Sequence, residues 1–186
     1  MDTWMWIALA LVAVAAIGIV VAATVQVRRS KQLREGFGPE YDRVVEEAGD
    51  KREAERELEA RRERHDEFDI RPLAAGARSR YSAEWRAVQE RFVDEPDEAV
   101  READRLVQQV MADRGYPVED DFERRADDLS VDYPELVENL RKGQRLWRDY
   151  EAGSAGTEDL RQAMVHYRSL FEELLEEQPA HETTRR

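Results

Sequence analysis

The chain has 186 residues, a formal net charge of −13 and no cysteine. Without cysteine it can form no disulfide, thiolate metal site or cysteine nucleophile. Its acidic balance argues against a nucleic-acid partner, because a phosphate backbone repels a body of the same sign. The length suits one domain with a connecting segment.

The first feature along the chain is an uncharged apolar run from Trp4 to Val25. As a helix it would reach about 33 Å, enough to cross a hydrocarbon core of about 30 Å. This predicts a transmembrane anchor at residues 1–27. Basic residues follow the run, and they are retained on the cytoplasmic side. The residues expected to hold the chain at the bilayer are Trp4, Trp6, Arg28, Arg29, Lys31 and Arg34.

These features predict a single-pass protein of the cell membrane, with its N-terminus outside and its C-terminal domain in the cytoplasm. The alternative is a signal peptide cleaved before Thr24, which would make the rest a secreted or envelope-facing helical protein. A signal peptide needs a basic n-region and an apolar stretch of about 7–15 residues. The chain lacks the first and its run is longer, so the anchor is favoured.

Residues 28–38 are predicted to be a basic juxtamembrane collar and hinge, because two glycines and Pro39 interrupt helical continuity there. Residues 39–68 read as a charged spacer helix. Oppositely charged residues three and four apart recur along it, but no heptad seam is sustained. A solvated spacer is therefore favoured over a dimeric stalk, and His65 is expected to be solvated.

Residues 74–177 are predicted to form a bundle of four to five amphipathic helices, and residues 178–186 a disordered tail. Apolar residues recur at helical spacing, and no stretch alternates with a period of two, so the class is all-α. The two clearest stripes are Ala99, Val100, Ala103, Leu106, Val107, Val110 and Met111, and Leu160, Met164, Tyr167, Leu170, Phe171, Leu174 and Leu175.

The residues that could carry chemistry are few. His166 is read as a satisfied histidine at the edge of the last stripe. The sequence contains neither Glu-x-x-His nor His-Glu-x-x-His, the pairs typical of di-iron and zinc sites. Acidic residues between 119 and 128 lack the spacing and glycine of a calcium loop, so a solvated face is expected. We predict no catalytic, cofactor-binding or metal-binding residue, and no cofactor.

Three segments carry a resemblance: Phe37 to Asp42, Asp69 to Leu73 and His166 to Leu174. Together they resemble a family of small uncharacterised bacterial membrane-anchored proteins. The family has no assigned activity, so the resemblance implies an anchored helical protein but no site residues.

The sequence therefore favours a non-enzymatic, membrane-tethered helical interaction or scaffold module. Its expected partners are the lipid bilayer and another protein or a second copy of itself. No nucleic acid or small-molecule substrate is indicated. A divalent-metal-dependent enzyme is the less favoured alternative, since no acid–base or nucleophile constellation is recognisable.

Overall fold

The computed structural model describes residues 3–118 and 121–176, without the side chains of residues 3, 5–10, 12–15 and 22. These residues form seven α-helices and no strand, so the all-α prediction is confirmed for the part described. The chain divides into two compact units, Met1–Glu59 and Ala60–Arg186.

The first unit contains helix α1 (Thr3–Ala48) and most of helix α2 (Lys51–His65). Gly38 breaks α1, because its φ of 46° and ψ of −125° are not helical. Gly49, with φ 66°, forms the turn into α2. Both angles lie where a Cβ is unfavourable, so glycine suits both positions. Gly38 lies at the end of the segment 28–38, and the rest of that segment is helical.

A small core joins the segments of the first unit, and α2 contributes a buried face to it. The Tyr41 hydroxyl donates to Glu55 Oε1 at 2.9 Å. Burial acts to raise the pKa of Glu55, but hydrogen bonds from Ser30 and Tyr41 and the nearby Lys51 hold it below its usual value. Helix α2, which was expected to be solvated on every face, therefore has one face in the core of this unit. Among the described side chains of this unit, the buried apolar ones are Leu33, Phe37, Tyr41, Val44, Ala54 and Leu58.

The predicted transmembrane helix at residues 1–27 is corrected. Over the described residues, no helix has both the length and the apolarity that crossing a membrane requires. Crossing takes about 18–20 consecutive apolar residues. Part of the predicted anchor, including the Trp6 side chain, lies outside the described residues. The described side chains of the apolar run are those of Trp4, Leu11, residues 16–21 and residues 23–25.

The second unit is the helical bundle that the sequence predicts. Helix α7 packs against α4 and α6, helix α3 packs against α4, and α5 packs against α6. The Trp85 and Phe171 rings stack at 4.6 Å and so join α3 to α7. Both apolar stripes named above are buried. The bundle helices are α3 (Ala77–Arg91), α4 (Pro96–Asp113), α5 (Phe122–Leu129), α6 (Val137–Glu151) and α7 (Thr157–Leu175).

The end of α4 contacts the loop that precedes α3 and the C-terminal end of α7. Gly115 has φ 94°, and a Cβ there would lie 2.1 Å from the Asp69 carbonyl oxygen, so only glycine fits. The Arg71 amide donates to the Arg114 carbonyl at 2.9 Å, which fixes the preceding loop. The Arg114 guanidinium in turn donates to the Leu174 carbonyl at 2.8 Å. A buried cation thus satisfies the C-terminal end of α7.

Candidate functional site

Buried charges gather around α5, and we call this group the α5 ion network. Asp127 accepts from Arg61 at 2.9 Å and from Arg141 at 3.2 Å, and both guanidiniums are buried. Asp128, itself buried, pairs with Arg64 at 2.8 Å. The network therefore ties the last turns of α2 and the first half of α6 to α5.

Next to the network, His65 bonds to Asp132. The distance from His65 Nε2 to Asp132 Oδ2 is 2.7 Å, and the Tyr116 hydroxyl donates to the same oxygen. The His65 side chain is only 14% exposed, so the expectation of a solvated histidine is wrong. Burial and the neighbouring Asp132 both raise the pKa of Tyr116. Tyr116 therefore stays a neutral donor, and the cluster is a packed polar contact.

The acidic cluster between residues 119 and 128 is only partly solvated where the structure describes it, because Asp121 and Glu123 are exposed whereas Asp128 is buried. Asp121 accepts from the Glu123 amide at 3.0 Å and caps α5. Asp127 and Asp128 belong to the α5 ion network, while Glu119 and Asp120 lie outside the described residues. Within the described ranges, no group of three or more potential ligands is arranged to hold a metal ion. The described carboxylates make structural contacts.

A cavity of about 220 Å³ opens between α4, α6 and α7, and we call it the Asp104 pocket. Trp147 and Tyr167 form its aromatic walls. The Arg101 guanidinium lies over the Trp147 ring at 5.3 Å. Gly143 makes room for the Tyr167 ring, since a Cβ there would come within 3.1 Å of it. The lining residues are Val100, Arg101, Asp104, Arg105, Gln144, Trp147 and Tyr167.

Asp104 contributes a carboxyl group to the lining of this pocket. Gln108 donates to its Oδ2 at 2.6 Å, while Oδ1 is buried and has no well-formed hydrogen bond among the described residues. Burial raises the pKa of Asp104, against the lowering effects of Arg125 and of the Gln108 and Tyr167 hydrogen-bonding groups. The Tyr167 hydroxyl is close enough to Asp104 for each group to change the pKa of the other. Burial and Asp104 raise the pKa of Tyr167.

A second concavity, which we call the α3–α7 groove, lies between the C-terminal end of α3 and the first half of α7. Its volume is about 190 Å³. Its floor is apolar, and Val165 is 49% exposed. Val93, which follows Phe92 at the end of α3, is 82% exposed. Two arginines flank the floor. The lining residues are Gln89, Phe92, Arg161, Met164, Val165 and Arg168.

The two arginines of the groove are only loosely held. Arg161 pairs with Glu158 at 2.6 Å, and Arg168 pairs with Glu172 at 2.7 Å. All four side chains are more than half exposed. Exposed pairs of this kind contribute about 0–1 kcal/mol, so either arginine can exchange its partner at little cost.

His166 lies at the edge of α7, as expected. Its Nδ1 is 3.1 Å from Asn139 Oδ1, and Asn139 in turn donates to Ser169 at 3.3 Å. Burial, and secondarily Lys142, lower the pKa of His166, so the ring is neutral at pH 7. The histidine therefore serves as a satisfied contact between α6 and α7.

The residues predicted to anchor the chain lie along α1. Trp4 is exposed, and nothing is described of the Trp6 side chain. Arg29 pairs with Glu59. Lys31 pairs with Glu35 at 3.6 Å and Arg34 with Asp42 at 3.3 Å, while Arg28 is exposed. Three of the four collar cations thus meet acidic partners within their own unit. Their action on a lipid surface stays a prediction.

No protein-family model matches the chain, and no curated protein or solved structure shows significant similarity to it. The resemblance to small membrane-anchored bacterial proteins therefore stays a prediction.

Proposed function

We propose that this protein is a non-catalytic helical interaction module that binds an amphipathic helix of a partner protein in the α3–α7 groove. The observation that carries the proposal is an exposed apolar floor between two loosely paired arginines, in a chain that is otherwise strongly acidic. Exposed apolar groups with a polar rim are typical of interaction sites.

The size of the groove indicates how the partner binds. Small-molecule sites usually enclose about 300–1,000 Å³. At about 190 Å³ the groove is smaller and suits one large apolar side chain. Interfaces commonly depend on a few such anchors seated in pockets and surrounded by weaker contacts. One Phe or Leu of the partner would therefore contact Met164 and Val165 and cover Phe92.

The two arginines of the groove indicate which residues flank the apolar side chain of the partner. Arg161 and Arg168 are seven residues apart on α7, which corresponds to about 10.5 Å along the helix. Two acidic residues seven apart on a partner helix span the same distance. An apolar residue three positions after the first acidic residue lies between them on the same face. The expected partner is thus a helix with the pattern acidic, apolar, acidic at i, i+3 and i+7.

The test is the binding of a designed peptide. A labelled helical peptide carrying Glu, Phe and Glu at these positions is titrated with the full chain and followed by fluorescence anisotropy. We expect saturable binding that weakens at least about tenfold in the Arg161→Glu/Arg168→Glu variant, because like charges then face each other. Val165→Glu should weaken binding similarly by placing a charge on the apolar floor.

A matched control uses Arg145 on α6. Its guanidinium pairs with Glu138 at 2.9 Å and is exposed to the same degree as Arg161 and Arg168. Arg145→Glu should leave peptide affinity within about twofold, because only net charge changes. Equal losses in the control and the groove variants would reject the groove as the binding surface. Self-association that Val165→Glu abolishes would instead identify a second copy as the occupant.

A further inference from the structure

We infer that the Asp104 pocket binds a small carboxylate ligand with an apolar body. This inference goes beyond the proposed function, because it assigns a ligand to the other concavity. The pocket is formed by α4, α6 and the Tyr167 side of α7, whereas the groove is formed by α3 and the Met164–Val165 side of α7.

Guanidinium groups dominate the charges of the pocket. Arg101 and Arg105 line it, and Asp104 is the one carboxylic acid among the described residues of the lining. Burial raises the pKa of Asp104 and so favours its neutral form, and Arg125 offsets its charge where it is ionised. A further cation, Arg148, acts on the tyrosine hydroxyl of the pocket wall. The lining therefore attracts an anion more than a cation.

The Arg105 guanidinium is available for a ligand. Arg105 is exposed and makes no hydrogen bond or ion pair with another described residue. A guanidinium presents its donors in a fixed fork that matches the two oxygens of a carboxylate. Arg101 lies four residues earlier on α4, and residues at this spacing are neighbours on one helix face. Its pairs with Asp97 at 3.0 Å and Glu98 at 3.1 Å are exposed and weak, so it can add a second contact.

The remaining walls suit the rest of such a ligand. The Gln144 side-chain oxygen accepts from Tyr167 at 3.4 Å, while its amide nitrogen has no partner among the described residues and can donate to a carboxylate. The Trp147 ring and Val100 offer apolar contact. At about 220 Å³ the cavity is below the usual range for small-molecule sites, so the apolar body must be small.

The acidic balance of the whole chain does not oppose this ligand. The chain carries a net charge of −13, but charges more than about 8 Å apart are largely screened at physiological ionic strength. The guanidiniums of the lining are closer than that to a carboxylate bound between them, so they determine the sign of the ligand. A second negative charge, as in a phosphate monoester, would face Asp104 and lose part of this advantage.

The test uses phenylacetate as the probe. Phenylacetamide and phenethylamine are matched neutral and cationic probes, and acetate lacks the apolar body. Each is titrated into the full chain at constant ionic strength and followed by ¹H–¹⁵N NMR. For phenylacetate we expect a dissociation constant of about 1 mM and a shift of the Trp147 indole N–H, assigned with Trp147→Phe. The other three probes should bind at least about fivefold more weakly.

The variants separate a specific contact from a change of net charge. Arg105→Gln removes the unpaired guanidinium and should weaken phenylacetate at least about fivefold. Arg78→Gln makes the same change at an exposed arginine of α3 that also lacks a described partner, and it should alter affinity less than about twofold. Asp104→Asn should bind phenylacetate at least as tightly as the parent, because it removes a like charge. A loss of more than about threefold in Asp104→Asn would overturn the inference.

The inference is also overturned if phenylacetate causes no Trp147 shift at about 20 mM, well above the expected constant. It is overturned if phenethylamine binds as well, or if Arg105→Gln and Arg78→Gln bind alike. Loss of phenylacetate binding in the Arg161→Glu/Arg168→Glu variant, with Arg105→Gln unaffected, would overturn it by placing the probe in the α3–α7 groove. The peptide test of the groove is independent of these results, since it changes no residue of the pocket.

Discussion

The interface between α4 and α7 and the α5 ion network hold neighbouring parts of one bundle by opposite means. The first is almost wholly apolar, whereas the second places Arg61, Arg141 and Asp128 out of solvent in ion pairs. Apolar burial contributes about 25 cal/mol per Å² without demanding a partner. A buried ion pair roughly balances its own desolvation but is costly to break. The apolar interface therefore supplies stability, and the network determines which surfaces can meet.

The largest expected effect on the free energy of unfolding comes from the apolar packing of α7. Phe171→Ala removes the ring that stacks on Trp85 and opens a cavity in a buried site. The free energy of unfolding should fall by about 3–5 kcal/mol, measured by urea denaturation. A fall of less than about 1 kcal/mol would mean that α3 and α7 are not joined by this stack.

The next effect is on the network. Asp128→Ala removes the only carboxylate that Arg64 contacts among the described pairs, and it should lower the free energy of unfolding by about 3 kcal/mol. Replacing both partners, in Arg64→Met/Asp128→Leu, should recover most of that loss, because no uncompensated charge remains. Additive losses in this double-mutant cycle would contradict the assigned pairing.

Asp104 gives a smaller effect that depends on pH. Burial raises its pKa in the folded state. Its favourable contribution is thus complete below the unfolded pKa, and it is lost as pH rises through the folded pKa. Asp104→Asn should therefore be more stable than the parent at pH 7, by the order of 1 kcal/mol, with the difference vanishing near pH 3. Urea midpoints at both values measure it, and an equal difference at both would contradict burial as the cause.

The smallest effect belongs to an exposed pair. Arg145→Ala breaks the contact with Glu138, whose side chain is also exposed. We expect the free energy of unfolding to change by less than about 0.5 kcal/mol, because water solvates both groups once they separate. A loss comparable to that of Asp128→Ala would remove the distinction between buried and exposed pairs.

The α4–α7 interface could be predicted from the sequence, whereas the α5 ion network could not. Apolar residues at helical spacing must face a core, so the stripes on α4 and α7 could be predicted from the sequence alone. The sequence does not distinguish a charged residue that is solvated from one that is buried in an ion pair. Arg64 meets Asp128 across 64 positions, which no local pattern encodes. For this reason the charged helix α2 and the acidic residues of α5 were predicted to be solvated.

The Asp104 pocket and the α3–α7 groove also could not be predicted from the sequence. Trp147 and Phe92 lie at helical spacing from other apolar residues, yet both are only half-buried because they border an opening. Periodicity identifies the face of a helix and does not show where two helices leave a gap. Asp104 carries no sequence signal, since it is one of 42 acidic residues.

The central claim is that the α3–α7 groove recognises an apolar side chain flanked by acidic residues. The most direct measurement is a charge exchange between the groove and the peptide, followed by fluorescence anisotropy. The Arg161→Glu/Arg168→Glu variant should lose the Glu-flanked peptide and gain a Lys-flanked peptide of otherwise identical sequence. If the variant binds neither peptide better than the parent does, or if both proteins prefer the same peptide, the account of the groove is wrong.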